Sequence, residues 1–335
     1  MTTRLLIALF VAAALVACGG ESDVTQQDGG DRAAAAGNPL LAEWDHPFGM
    51  PPFDRIEDRH FQPAIERAMA VQLEEVAEIA GNPEPPTFEN TIVALERSGR
   101  LLDRVTRTFR NLVSADTNET RRAIQREMSP RLAEHRDAIR LDAELFARVE
   151  ALYEQRDSLA LDAESLRLLE KYRRDFVRAG APLSDEDKAR LRKINARIAS
   201  LTTEFGQNLL EETNDSALVV ESAEELTGLS EAEIRAAADE AERRGLGGRY
   251  VLTLQNTSTQ PALASLENRE TRRRLHEASL ARGSRGNEND NRAIVAQTLL
   301  LRAERAQLLG YETHADYVLE EQTAGSVKAV QDMLQ

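Results

Sequence analysis

Five histidines and one cysteine are the side chains of this 335-residue sequence best suited to metal or nucleophile chemistry. A helix that holds a hydrolytic zinc ion needs two imidazoles four residues apart on one face, with a glutamate between them to serve as the base. His46, His60, His135, His276 and His314 contain no such pair. The nearest approach is His276-Glu277-Ala278-Ser279-Leu280, where Leu280 stands in the place of the second imidazole. His276 therefore reads as a helix-surface or interhelix residue, and His60 and His135 fall in charged amphipathic helix contexts. A Gly-x-Ser-x-Gly elbow is missing, and carboxylates on helices are ordinarily solvated faces. Gly245-Leu246-Gly247-Gly248 lacks the Lys-Ser/Thr of a phosphate loop and precedes a strand, so it reads as a turn. Asn287-Glu288-Asn289-Asp290-Asn291 is rich in oxygen but lacks the spacing and glycine of an EF-hand, and reads as a loop and helix cap. The expectation is a chain with no catalytic residue, no cofactor-binding residue and no metal ligand of its own.

Cys18 has a different use. A basic start at Arg4, an apolar run Leu5–Val16 and a small residue at Ala17 describe an export signal. Twelve apolar residues fall short of the ~20 that span a bilayer as a helix. Leu15-Val16-Ala17-Cys18 resembles a bacterial lipobox, so residues 1–17 read as a lipoprotein signal peptide and Cys18 as the lipidated first residue of the mature protein. Residues 18–37 then form a flexible tether, too polar to bury a core. Gly19 is not an inner-membrane retention signal, which favours an outer-membrane anchor facing the periplasm. With one cysteine, no intramolecular disulfide can form.

The elements that would position any site are helical. Aromatics make up only 4% of residues against 41% hydrophobic and 30% charged, a palette of Leu, Ala, Ile and Val with solvated faces. The formal net charge of -15 argues against a nucleic-acid partner. From Asn38 an irregular lead-in carries Trp44, Phe48, Phe53 and Ile56, and beyond it the apolar period is 3.6. The spacing predicts helices through 65–79, from Thr87 through Leu102, and over 118–139, 142–155 and 162–178. The longest is expected from Ser184 to about Thr213, where Leu191, Ile194, Ile198, Leu201, Phe205 and Leu209 form one stripe. Ala217–Val220 and Tyr250–Leu254 alternate like short strands, a minor β element near 217–254. Ser230 opens a capping box, with Leu229 and Ile234 as its hydrophobic staple. Further helices are expected over Pro261–Arg282, Asn291–Leu309, Thr313–Glu321 and from Ser326. The last is amphipathic and short for a free helix, and this reading expects the chain to continue past Gln335.

An ordered series of segments carries a resemblance. It includes Phe53, Ile56 and His60; Pro86-Thr87-Phe88-Glu89-Asn90-Thr91-Ile92; Ala94-Leu95-Glu96 and Ser98-Gly99; Phe109 and Asn111-Leu112. It goes on through Arg178-Ala179-Gly180-Ala181, Ile194-Asn195, Phe205 with Asn208, Asn268-Arg269, Arg282-Gly283, Asp290-Asn291 and Glu304-Arg305-Ala306-Gln307-Leu308-Leu309-Gly310-Tyr311. Together these resemble the thimet oligopeptidase family of zinc metallopeptidases, and within it the bacterial peptidyl-dipeptidase branch. The resemblance implies an all-α, elongated multi-helix lobe over residues 38–335, one wall of a two-lobed channel for short unfolded peptides. It also implies that zinc and its His-Glu-x-x-His ligands lie beyond Gln335, that a catalytic lobe is the missing partner, and that this chain alone is inactive. Matching polar residues such as Asn90 and Arg269 read as cap, packing and wall residues. Two other expectations stay open: a non-catalytic helical lipoprotein that binds peptides or a partner, and one half of a split enzyme. The face toward the missing lobe is expected to be apolar and exposed.

Overall fold

A computed structural model describes residues 37–255 and 260–335. Residues 1–36, where the export signal, the lipidated Cys18 and most of the tether are expected, lie outside the described residues. The lead-in packs through Leu40, which is fully buried, while Arg104 stacks over Trp44 at 4.5 Å and donates to the carbonyls of Leu40 and Ala42. Helix α1 is Phe61–Ala80. A π-helical turn, Phe88–Val93, runs into α2, Ala94–Arg97; α3 is Arg100–Ala115 and α4 is Glu119–Arg140. Then follow α5 (Ala143–Glu154), α6 (Ala163–Ala179) and α7 (Asp185–Asp215). Strands β1 (Leu218–Val220) and β2 (Tyr250–Leu252) flank α8 (Glu231–Arg243) and pair antiparallel, Val219 opposite Val251. The last third holds α9 (Ala262–Ser265), α10 (Arg269–Leu280), α11 (Arg292–Leu308), α12 (His314–Leu319) and α13 (Val327–Leu334). The chain is all-α with a minor β element, as its composition and period predict.

Caps set the helix boundaries. The side chains of Asn118, Asp142, Asp162, Ser184, Asn268 and Ser326 each accept from a backbone N–H in the first turn of the helix that follows. The Ser230/Glu233 capping box forms with both of its bonds. Two helices expected as continuous are broken. The one from Thr87 through Leu102 stops at Ser98, and Gly99, at φ 71°, reopens the chain as α3. The one over Pro261–Arg282 is interrupted between Ser265 and Arg269, where Glu267 donates its backbone N–H to the carbonyl of Thr227. Both breaks are tertiary, because in each the backbone leaves the helical ladder to approach another segment, and periodicity cannot register that.

Three separate hydrophobic cores follow one another. The first joins Leu40, α1, α3 and α4 around Phe61, Ile65, Val105 and Met128. The second joins the far end of α1, the π-helical turn, α2, α5 and α6 around Ile92, Leu145, Leu169 and Phe176. The third lies under the hairpin with α8 and α10, around Val220, Leu226, Leu254 and Leu275. Helix α7, 31 residues and roughly 46 Å long at 1.5 Å per residue, packs against α4 along one side and α11 along another.

Gly228 and Gly245 both sit in the left-handed region, at φ 96° and 72°. A Cβ at Gly228 would collide with the backbone carbonyl of Ser265, whereas at Gly245 it meets open space. Urea denaturation is expected to show Gly245→Ala costing about 1 kcal/mol, the left-handed penalty alone, and Gly228→Ala costing about 3 kcal/mol because the carbonyl must also move. Equal costs would refute this account of the close approach between the Gly228 turn and the end of α9.

Candidate functional site

Along α4 the positions Ile124, Met128, Leu132, His135 and Ile139 repeat at spacings of four and three, so the helix turns one face inward from end to end. The opposite side of α4, which carries Ser129, Ala133, Asp137 and Arg140, meets α7 at a cavity of roughly 950 Å³ bordered by α1, α3, α6 and the segment from Arg305 to Tyr317. Small residues are part of the lining, among them Ser98 and Gly99 after α2, Ala133 on α4 and Ala199 on α7.

Polar residues of that wall are tied into a chain of hydrogen bonds. Asn195 on α7 donates Nδ2–H to both carboxylate oxygens of Asp137 on α4, at 2.9 and 3.1 Å, and accepts from Nη1 of Arg305 at 3.3 Å. Asp137 is buried, and that burial raises its carboxyl above its ordinary range despite the amide bonds and nearby arginines. His135 is 8% exposed and its Nε2 lies 2.7 Å from Oε1 of Gln72 on α1. Burial, then the charge of Arg136, lowers its pKa, so the ring is neutral near pH 7. Burial also lowers the pKa of Arg305, whose guanidinium lies 5.4 Å from the ring of Tyr317.

The floor of the cavity is a clasp at the end of α6. Arg178 donates to the Tyr311 hydroxyl at 3.1 Å and to the Tyr317 carbonyl at 2.6 Å, pairs with Glu320, and lies 4.6 Å from the Tyr317 ring. Tyr311 in turn donates to Glu320 at 2.5 Å, and its hydroxyl is pushed up to about 12, first by burial and then by that bond. Beside it Arg140 lies over Phe176 and Tyr172, and Tyr172 donates to Glu96 at 2.6 Å. The arrangement can bind and orient a charged or polar molecule.

Residues singled out by sequence scatter. His276 is exposed on α10, and Leu280 on the same helix is exposed too. His60 accepts the Glu57 backbone N–H through Nδ1, a cap. His46 lies 3.7 Å from Asp54, and His314 stacks on Tyr317. Asn90 accepts from Thr87, Thr91 and Arg148, a packing role; Arg269 is exposed at the start of α10. Cys18 lies outside the described residues. Among the described residues no group of three or more His, Cys, Asp or Glu side chains is placed to hold a metal ion, so a zinc site does not fit the donors present. Sequence reasoning passed over Asp137 and Arg140. At 100° per residue they stand roughly 200° and 140° around α4 from His135, off its apolar stripe, so no apolar period marked them.

Asp137 titrates higher folded than unfolded. Its contribution is fully present below the unfolded value near 3.8 and is lost as pH rises through the folded value. Asp137→Asn removes the titration, so its stability against pH, followed by urea midpoints, is expected to lack the decline that this carboxyl adds between its unfolded and its raised folded value. An unchanged decline would mean that Asp137 is ionised as readily in the fold as in the open chain.

Comparison with known proteins places this geometry. Peptidase family M3 matches residues 262–335. The chain is 41% identical to a dipeptidyl carboxypeptidase of Escherichia coli over 292 residues, 87% of this chain and 43% of the relative. A dipeptidyl carboxypeptidase of Salmonella typhimurium matches at the same 41% and with the same shares. Oligopeptidase A of Haemophilus influenzae is 30% identical over 301 residues, 89% of this chain and 43% of the relative. The chain thus spans less than half the length of these relatives. Through residues 262–335, and through a similarity that runs over most of its length, the chain belongs to peptidase family M3.

Proposed function

We propose that this chain is the helical, substrate-enclosing part of a lipid-anchored zinc peptidase of the peptidyl-dipeptidase type, which removes dipeptides from the C-termini of short unfolded peptides. The observation that carries the reading is the 41% identity to dipeptidyl carboxypeptidase over 87% of the chain. In this reading residues 38–335 build one wall of the channel, and zinc is held by residues outside this chain. A zinc ion, when bound there, would polarise the scissile carbonyl and activate water. The residues of this chain supply enclosure and orientation.

Surface chemistry supports a partner lobe. Exposed large apolar side chains gather in the last third: Leu280 at 71%, Leu300 at 72%, Met333 at 75% and Leu334 at 76%, with Val295 and Leu299 beside them in sequence. Scattered single residues would need no explanation, but α11 and α13 each expose apolar side chains repeatedly. Such faces suit burial against more protein. The anchor reading rests on the lipobox-like run ending at Cys18.

Two measurements test the reading. Zinc content and dipeptide release are compared for this chain and for a protein extended to the length of its relatives. The extended protein is expected to hold about one zinc per chain and to release C-terminal dipeptides, the short chain neither. Stoichiometric zinc and cleavage by the short chain would place the active site here and overturn the reading. For the anchor, Cys18→Ser is expected to move the exported protein from the detergent phase to the aqueous phase in a phase-separation assay. Equal partitioning of both forms would remove the lipid.

A further inference from the structure

We propose that the cavity between α4 and α7 is a binding site for a small carboxylate-bearing molecule, held by the guanidinium groups of Arg140 and Arg305. Its wall is positive although the whole chain carries a formal charge of -15. Five arginines line it against two aspartates. Of the two acids, Asp103 is turned to Arg107 at 2.7 Å, and Asp137 is satisfied by the amide of Asn195. Arg178 is committed to the clasp with Glu320.

Arg140 and Arg305 are only weakly compensated. Arg305 is half-buried and, among the described residues, has no carboxylate in ion-pair distance; Asn195 stands between it and Asp137. Arg140 has one distant acid, Asp175 at 3.9 Å, which Lys171 already holds at 2.7 Å. One buried nitrogen on each guanidinium, Nη1 of Arg140 and Nε of Arg305, has no hydrogen-bond partner. Buried cations without a counter-charge are costly, and an anion that occupies the adjoining space relieves the cost. A planar carboxylate matches the guanidinium fork. Nearby Leu132, Ile139, Phe176 and Leu309 make part of the lining apolar. The volume of roughly 950 Å³ exceeds what an inorganic ion needs and suits an organic body beside the charge.

In a peptidase the carboxylate is that of a short peptide; this assignment of source rests on the function proposed above, while the anion site itself does not. The test is isothermal titration of the unmutated chain, at low salt, with N-acetyl-leucyl-leucine and with its C-terminal amide. Sodium acetate and inorganic phosphate serve as competitors. The acid is expected to bind at least about tenfold more tightly than the amide, and Arg305→Gln and Arg140→Gln each to weaken the acid by about tenfold. Circular dichroism melts check that both variants fold, and Arg305→Lys, which keeps the charge, is expected to retain part of the binding. Should a variant unfold, the acid–amide comparison decides alone. Equal binding of acid and amide, or no binding of either by a folded chain, overturns the site. Competition by acetate or phosphate as effective as by the dipeptide keeps the anion site and overturns the peptide as its source. Binding that persists while the extended protein fails to cleave peptides would sink the peptidase reading and leave the site standing.

Discussion

Helix α7 imposes the constraint on which the rest of the structure depends: a single helix of 31 residues must satisfy every polar side chain that its length drives between its neighbours. Its apolar stripe is narrow, so polar positions beside it cannot all reach water. Several find a specific partner. Asn195 reaches Asp137 and Arg305; Thr203 donates to Ser129 at 2.7 Å; Gln207 donates to the Arg122 carbonyl and accepts from Arg126; Asn208 donates to Asn291. Glu212, with no exposed surface, takes Asn287 at 2.7 Å, Ser216 at 2.8 Å and Arg285. Leaving one such buried group unpaired costs ~1–3 kcal/mol, so the set fixes the register of α4 and α11 on α7 far more sharply than Leu and Ile contacts do.

That register produces the cavity. Asp137 and His135 must face α7 and α1, which turns Arg140, one helical turn on, toward the rings of Tyr172 and Phe176 on α6. The Arg178 clasp meanwhile draws the Tyr311–Glu320 segment beneath α6. Gly180, at φ 99°, permits this: a Cβ there would stand 2.7 Å from Cδ2 of Leu191, so α6 could not close onto the start of α7. Helices held by polar pins at chosen points, and not by one continuous apolar seam, leave space between the pins. The three separate cores fit the same picture, since each is local to its own helices.

Much of this was legible in the sequence. The long helix, the hairpin near 217–254 and the Ser230 capping box all follow from spacing and cap chemistry. The family was legible too, because its segments recur in order; Arg178, Asn195, Arg305 and Tyr311 stood among them as matches without a role. What could not be read was the meaning of those matches. A hydrogen bond from Arg178 to Tyr311 joins residues 133 apart, and no period or cap signals it. The breaks at Ser98 and Ser265 escaped for the same reason. His135 was read as a residue of a charged helix, yet its place on the inward stripe of α4 left it 8% exposed; the charges around it occupy the other faces.

The division between pins and surface bears on the role proposed for this chain. In that proposal, a wall that encloses peptides must keep its shape without a ligand, which argues for rigid, over-determined helix contacts such as those along α7. It must also present charge where a substrate's ends would be sorted, since a peptide carries its most discriminating groups at its termini. Arginine suits that task better than lysine, because its planar fork distinguishes a carboxylate from an amide by geometry as well as by charge. The cavity wall uses arginine for every cation it places, and leaves Arg140 and Arg305 short of carboxylate partners. Two arginines with one distant carboxylate between them, beside open volume, fit the carboxylate site proposed for this cavity.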